Sequence, residues 1–532
     1  MKSVHSKLGG SRNIFATFCF ASVAMFLQIG CGGGGVTSTP LPPPPALGIA
    51  TASLPDWMQT FAYSQTIQAT GGVAPLTWAI SSGSLPHNLT LANSSTYSVT
   101  ISGTPDMVQT ATFTIQATDS KSRAATQSYI INIKKLVSAQ LQEVQGPVPA
   151  GSVEIQGVST GSFNPTEWQQ DTLNWVPDVR VPMVAPQSGP FQNIYSPWPL
   201  EQINGWRMFY GGWDGTATSN DRVYSVTTSD FLSFNDHQLV IDHGDFLHVN
   251  NVNVTQLPDG SMHMICTIAL TQTSNGKPAY FFSPDGVIWN GSPEPYSAQL
   301  SDVVSIPNDP LYAGYDYNGA NVLFRENGSW TLYYSVGIYG DIGKVYRATS
   351  VFPPVFQAQG VALATLHYAN DVKKFHASGK DWYLMALYEE RVSTNPAPVS
   401  SFYSLSNDGI QFGREQVLFG PAYAQDLFLM TPAFLTKGDQ VMGVLYGGNP
   451  VDLLNPNQIF ARWLQKRVLI TDSSGIQYFA QGGYGPDRQW FTVPASGLLE
   501  GTMVVYAEDG VTPLGSSFVT LSAGKAYTLV LK

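Results

Sequence analysis

Residues 318–350 read NGANVLFRENGSWTLYYSVGIYGDIGKVYRATS. An apolar run ends in Asn327-Gly328, an aromatic-rich run follows, and after a Gly-rich turn a third run opens at Lys344. Asn-Gly between alternating apolar residues is a strong hairpin signal, because both residues tolerate the positive φ that a tight turn needs. The stretch therefore predicts three consecutive antiparallel strands. Their apolar residues point to both faces, so one such sheet cannot cover itself.

The same unit recurs on both sides. An earlier copy reads NIYSPWPL (193–200), GWRMFYGGWD (205–214) and VYSVTTSDFLSF (223–234). Another reads NNVNVTQL (250–257), DGSMHMICTIAL (259–270) and AYFFSPDGVIW (279–289). Later copies are NDVKKF (370–375) with GKDWYLMALYEE (379–390) and SFYSLSNDGIQF (401–412), then MTPAFL (430–435) with GDQVMGVLYGGN (438–449) and FARWLQKRVLI (460–470). Repeats of roughly 50–70 residues, each long enough for one four-stranded sheet, predict a five-bladed β-propeller over 187–480. SPDGVIW and SNDGIQF look like the Asp-box turns of sialidase-type propellers, with Asp285 and Asp408 bonding their own turns and Trp289 and Phe412 packing between sheets.

This organisation is similar to the five-bladed propellers of glycoside hydrolases of the arabinanase and β-xylosidase type, family 43, and their sucrose-cleaving relatives. The resemblance covers about 290 residues and is one of repeat architecture. It implies an aspartate base, a second aspartate that adjusts pKa and a glutamate acid, all from inner-strand openings. In this chain those positions hold Ser196-Pro197, Asn321, and Asn370 or Asp371. Either other carboxylates on the same face have taken over, or the fold only binds glycans.

In a propeller, residues opening inner strands and residues ending second strands converge on one axial pocket. The expected catalytic candidates are Asp371, Asp214 and Glu389 or Glu390, with Asp371 foremost. Ser196, Trp198, Trp213, Asn251, Asn253, Asn321, Tyr315 and Tyr317 are the expected saccharide contacts, since amides suit hydroxyls and rings suit C–H faces. The competing reading makes the carboxylates solvated strand ends and the rings inter-sheet core. His248 and His367 lack further ligands at zinc spacing, so no metal site is expected there. Phosphate loops and serine nucleophile elbows are absent from the sequence.

Upstream, ATGGVAPLTWAI (69–80), SGSLPHNLTL (82–91), ISGTPD (101–106) and FTIQATDS (113–120) resemble the immunoglobulin-like, cadherin-like module of bacterial surface proteins. The resemblance spans 47–135 and implies a β-sandwich, with Trp78 as its core plug. The cadherin relation alone raises calcium, at Asp106 and Asp119. Residues 136–186 have little periodicity and are expected to be a connector, and 481–532 a short β-rich tail.

Lys2, Lys7 and Arg12 precede the apolar run Ile14–Gly30, which ends at Cys31. That is the layout of a secretory signal. LQIGC resembles a lipobox, which implies lipid on Cys31 and anchorage to a bacterial membrane, facing the periplasm or the exterior. Residues 32–46, Gly-rich and then TSTPLPPPP, read as a tether. Of the three cysteines, Cys19 and Cys31 belong to the export segment, leaving Cys266 without an internal disulfide partner. Net charge is -11 with no basic cluster beyond the signal, which disfavours nucleic acid and anionic headgroups. The overall expectation is an all-β, surface-tethered protein acting on a polysaccharide, or else a non-catalytic glycan binder or adhesive scaffold; oligomeric state is left open.

Overall fold

The computed structural model describes residues 45–146, 148–184, 193–213, 220–270, 276–309, 321–336, 344–389, 399–450 and 457–532. Apart from one helical turn and one 3₁₀ turn, all regular structure among them is β.

Residues 48–134 form a sandwich of two four-stranded sheets. Its strands alternate as a half-buried sheet requires: in Gln109–Thr118 the residues Ala111, Phe113, Ile115 and Ala117 point inward. The core plug is Trp57, edge-on to Tyr63 at 5.5 Å between ring centroids, and not Trp78. Trp78 is only partly buried, because its indole N–H reaches out to the carbonyl of Thr96 at 3.0 Å.

Residues 193–464 build five sheets. Their inner strands are Asn193–Gln202, His248–Gln256, Val322–Glu326, Tyr368–Ala377 and Phe428–Lys437. Each inner strand touches the inner strands of both neighbouring sheets, and the first touches the fifth, so the ring is closed. This is a β-propeller. Sheets 3 and 4 have four strands, as the repeat predicts, whereas sheet 2 has three. The expected fourth strand of sheet 2 is replaced by a two-residue hairpin at 288–293 and a bridge from Ala279 to Val303. Sheet 5 takes its outermost strand, Trp175–Pro177, from before the propeller. Closure thus joins the two ends of the repeat region, and Asp178 seals it by accepting from the Trp463 indole at 2.8 Å and pairing with Arg180 at 2.8 Å.

The stretch 136–186 carries more structure than its weak periodicity suggests. Val137–Val144 and Ser152–Gln156 enter a nine-stranded sheet whose other members all come from 467–531. The C-terminal β-module is therefore completed by strands from the N-terminal side. The helical turn Pro165–Trp168, capped by Asn164 accepting from the Thr166 N–H at 3.1 Å, drives Trp168 between sheets 4 and 5. There it meets Tyr403 and Phe434 edge-on, and Phe163 stacks on Phe375 at 4.4 Å.

Both Asp-box turns form as read. Asp285 Oδ1 accepts from the backbone of Val287 and Ile288, and Asp408 Oδ1 from Ile410 and Gln411. Trp289 and Phe412 are buried.

Candidate functional site

The inner strands of sheets 1, 2 and 5 bulge near their starts, between Tyr195 and Trp198, Asn250 and Asn253, and Met430 and Ala433. At each bulge one residue sits in the left-handed region: Ser196 at φ 51°, Asn251 at φ 50° and Thr431 at φ 49°. Serine and threonine rarely hold that conformation, and a β-bulge is a device for re-aiming side chains beside a site. Sheet 4 carries its own irregularity between Ala369 and Asp371. The bulges of sheets 5 and 1 are tied directly, since Thr431 Oγ1 accepts the Ser196 N–H at 3.0 Å. Gly447 permits this approach: a Cβ there would lie 2.9 Å from the Tyr195 Cβ.

A polar cluster gathers at the sheet 1 and sheet 2 openings. Asp221 Oδ2 accepts from the Tyr195 hydroxyl at 2.7 Å and from Asn250 Nδ2 at 3.3 Å, and Asn250 Nδ2 also reaches the Tyr195 oxygen at 2.6 Å. Asp221, Asn250, Asn251 and Ser196 are all buried, at 5%, 8%, 8% and 0% exposure, so none can turn to bulk solvent. Yet among the described residues Asp221 Oδ1, Asn250 Oδ1, Asn251 Oδ1 and Ser196 Oγ have no hydrogen-bond partner. Leaving a buried acceptor unsatisfied costs about 1–3 kcal/mol, so a group of four is a standing demand for hydroxyl or amide donors.

The other expected site residues divide. Asn321 is buried and gives its Nδ2 to Thr267 Oγ1 at 3.0 Å, a tie between sheets 3 and 2. Trp198 is buried, 3% exposed, with its N–H on the Val254 carbonyl at 2.7 Å. It belongs to the core between sheets 1 and 2 and offers no open face for stacking. Asp371 has no exposed surface: Oδ2 accepts the Phe434 N–H at 2.8 Å, and Oδ1 faces Lys373 Nζ at 3.3 Å. The Lys373 ammonium in turn lies 4.1 Å from the Trp198 ring centroid, so sheets 1 and 4 meet across the axis. Burial pushes the Asp371 carboxyl up to about 6, against the lowering pull of Lys373 and the Phe434 N–H. Glu389 follows the second strand of sheet 4 and is half-buried. Trp213 ends the second strand of sheet 1 opposite Asn193. Its side chain, Asp214, Glu390, Tyr315, Tyr317 and Cys31 lie outside the described residues.

Of the histidines, His367 bonds Glu415 at 2.9 Å and stacks on Phe402. In the sandwich, Asp119 is consumed by the protein's own donors, the backbone of Val73, Lys121 and Arg123 and the Arg123 side chain. Asp106 pairs instead with His87 at 2.6 Å. Among the described residues no cluster of three or more acidic, histidine or cysteine side chains could hold a metal ion.

Asp221, Tyr195 and Asn250 were not legible as a site in the sequence. The only local sign was Tyr195 beside the Ser-Pro that opens the first inner strand; the packing of sheet 2 against sheet 1 brings residues 195, 221 and 250 together.

Residues 46–134 match the family described as "Putative Ig domain". A comparison with curated proteins finds no match. Among solved structures, the catalytic domain of a Coprinopsis cinerea GH62 alpha-L-arabinofuranosidase is 14% identical, covering 56% of this chain and 98% of its own, at a TM-score of 0.39. An alpha-L-arabinofuranosidase from Podospora anserina in complex with cellotriose is 12% identical, covering 55% and 97%, at 0.40. A putative glycoside hydrolase from Parabacteroides distasonis is 12% identical, covering 56% and 98%, at 0.38.

Proposed function

We propose that this is a carbohydrate-active protein whose propeller takes a saccharide at the inner-strand openings of sheets 1 and 2. The observation that carries the reading is the set of four buried, unpartnered oxygens on Ser196, Asp221, Asn250 and Asn251. A sugar ring presents several hydroxyl donors, which suit a set of acceptors at two neighbouring strand openings better than an apolar or phosphorylated ligand does. Kinship with the family 43 type of hydrolase is part of this proposal and rests on the repeat organisation.

Hydrolysis is the second reading, favoured by Asp221, whose Oδ1 has no partner among the described residues while the Tyr195 hydroxyl holds Oδ2. Cleavage of a glycosidic bond usually needs a second carboxyl group across the scissile bond. Glu389 and Asp214 are the candidates for it, beside Asp371, whose Oδ2 takes the Phe434 N–H and whose Oδ1 faces Lys373. A screen of soluble polysaccharides for both binding and reducing-end release separates the readings. Binding with release supports an enzyme, binding without release a glycan receptor, and no binding by any of them sinks both.

The proposal includes export and lipid attachment at Cys31, supported by the charge-then-apolar layout of residues 1–31. Labelling with a fatty-acid analogue in a bacterial host is expected for the natural chain and lost in Cys31→Ser.

A further inference from the structure

The inner strands run from the bulged openings to a second face of the ring. From Asn251 to Leu257 the chain advances about 20 Å at the usual rise of a strand. On that far face the junctions between sheets are closed in four cases. Arg207 reaches the Gly286 carbonyl and Glu294 between sheets 1 and 2; Glu326 takes Tyr383 and Lys374 between sheets 3 and 4. Phe163 and Trp168 fill the junction of sheets 4 and 5, and Trp206 bonds Thr436 across sheets 5 and 1. Between sheets 2 and 3 there is instead a cavity of about 510 Å³, within the usual range of ligand clefts.

Its lining includes the apolar Phe282 and Phe352, which are 38% and 83% exposed. Asp259, His263 and Arg325 also line it. Arg325 is exposed, lies over the Trp330 ring at 5.2 Å, and makes no hydrogen bond or ion pair among the described residues. Asp259 keeps Oδ1 on Ser261 and leaves Oδ2 open. His263 shares a hydrogen bond with the Tyr280 hydroxyl at 2.6 Å through Nδ1. Burial and the nearby Arg325 cation push its imidazole down to about 4, so it is neutral near pH 7.

We propose that this cleft is a second saccharide site, separate from the axial one. Exposed rings suit the C–H face of a sugar, and a guanidinium and a carboxylate lining the same cleft suit its hydroxyls, one accepting and one donating. A peptide joining as an added strand does not fit, because the edge at Phe282 is already capped: its N–H goes to Asn290 Oδ1 and its carbonyl takes the Asn290 N–H, both at 2.8 Å. The inference rests on the carbohydrate reading and extends it to a polymer held at two places.

The test is affinity gel electrophoresis of the full chain through soluble β-glucan, xylan, arabinan and galactan. For a polysaccharide that retards the natural protein, Phe352→Ala and Arg325→Ala are each expected to weaken retention about tenfold. Both side chains are exposed, so melting temperature should not move, and Arg325→Lys, with the charge but not the fork, should restore retention only in part. Unchanged retention in both variants, with loss in Asp221→Asn, overturns the second site and leaves the axial reading standing. Loss in the cleft variants with none in Asp221→Asn does the reverse. If no polysaccharide retards the natural protein, both fall. If Phe352→Ala abolishes self-association and leaves glycan retention alone, the cleft is a protein interface and the proposal is wrong.

Discussion

Asn253 in sheet 2 and Asp371 in sheet 4 do the same thing: each reaches one sheet forward and accepts a backbone N–H of the next inner strand, Leu323 at 3.2 Å and Phe434 at 2.8 Å. Both sit where their strand resumes register after its irregularity. An amide suffices in one place, so the carboxylate in the other is not required for the tie.

Asp371→Asn is therefore expected to fold with a stability close to that of the natural chain, the new amide oxygen taking the Phe434 N–H. Asp371→Ala removes the acceptor and should cost about 1–3 kcal/mol in chemical denaturation. Glycan binding should survive in Asp371→Asn. If it is lost there while the fold is intact, the residue belongs to the binding machinery after all.

A second expectation concerns which pieces fold. The outer strand of sheet 5 and the Trp168 plug lie before residue 187, and the C-terminal module needs Val137–Val144 and Ser152–Gln156. A fragment of 187–480 should aggregate or unfold without cooperativity, whereas 136–532 should give a sharp thermal transition. A cooperative melt of the shorter fragment would show that closure does not depend on Trp175–Pro177. Within the full chain, Trp168→Ala should cost about 3–5 kcal/mol, the range for deleting a buried aromatic.

Glu167, on the same helical turn, gives a pH dependence. Burial first, then the carboxylates of Glu508 and Asp509, pushes it up to about 8. Its folded pKa is thus above the unfolded one. The stability it contributes is complete below about pH 4.5 and is lost as pH rises through 8. Glu167→Gln should remove that share of the decline, so its melting temperature relative to the natural chain should rise between pH 6 and pH 9. A constant difference across that range would contradict the assignment.

In the sandwich, Asp119 accepts three backbone N–H groups and pairs with Arg123 at 2.7 Å. These donors hold its carboxyl down to about 2, opposed only by burial. Its contribution is present above about pH 3.8 and lost as pH falls through 2. With no oxygen to spare, calcium or a chelator should leave the melting temperature of the sandwich unchanged; a rise with calcium would mean that a cation site exists.

The all-β class, the repeats and both Asp-box turns were legible because they rest on local signals: period-two alternation, Asn-Gly turns, and an aspartate bonding the next few residues. Strand exchange at the module level was not, since Val137–Val144 and Trp175–Pro177 find their partners 285 or more residues away. Repeat spacing pointed to Ser196 and Asn251 as strand openers, and both occupy left-handed bulge positions of their inner strands. Asp371 was singled out for its place in the repeat, but placement could not reveal that Phe434 and Lys373 enclose it. Trp198 misled for a similar reason, its exposure being set by sheet 2.

The most direct measurement is calorimetric titration of Asp221→Asn and of Asn250→Ala with the saccharide that binds the natural chain. The change at Asp221 keeps the acceptor for Tyr195 and removes only the charge and one acceptor oxygen, so the fold should hold. The account predicts at least a tenfold loss of affinity in each variant, with the melting temperature unchanged in Asp221→Asn and lowered in Asn250→Ala, which loses its bonds to Tyr195 and Asp221. Full affinity in both would mean that the unpartnered oxygens of sheets 1 and 2 are not where the sugar sits.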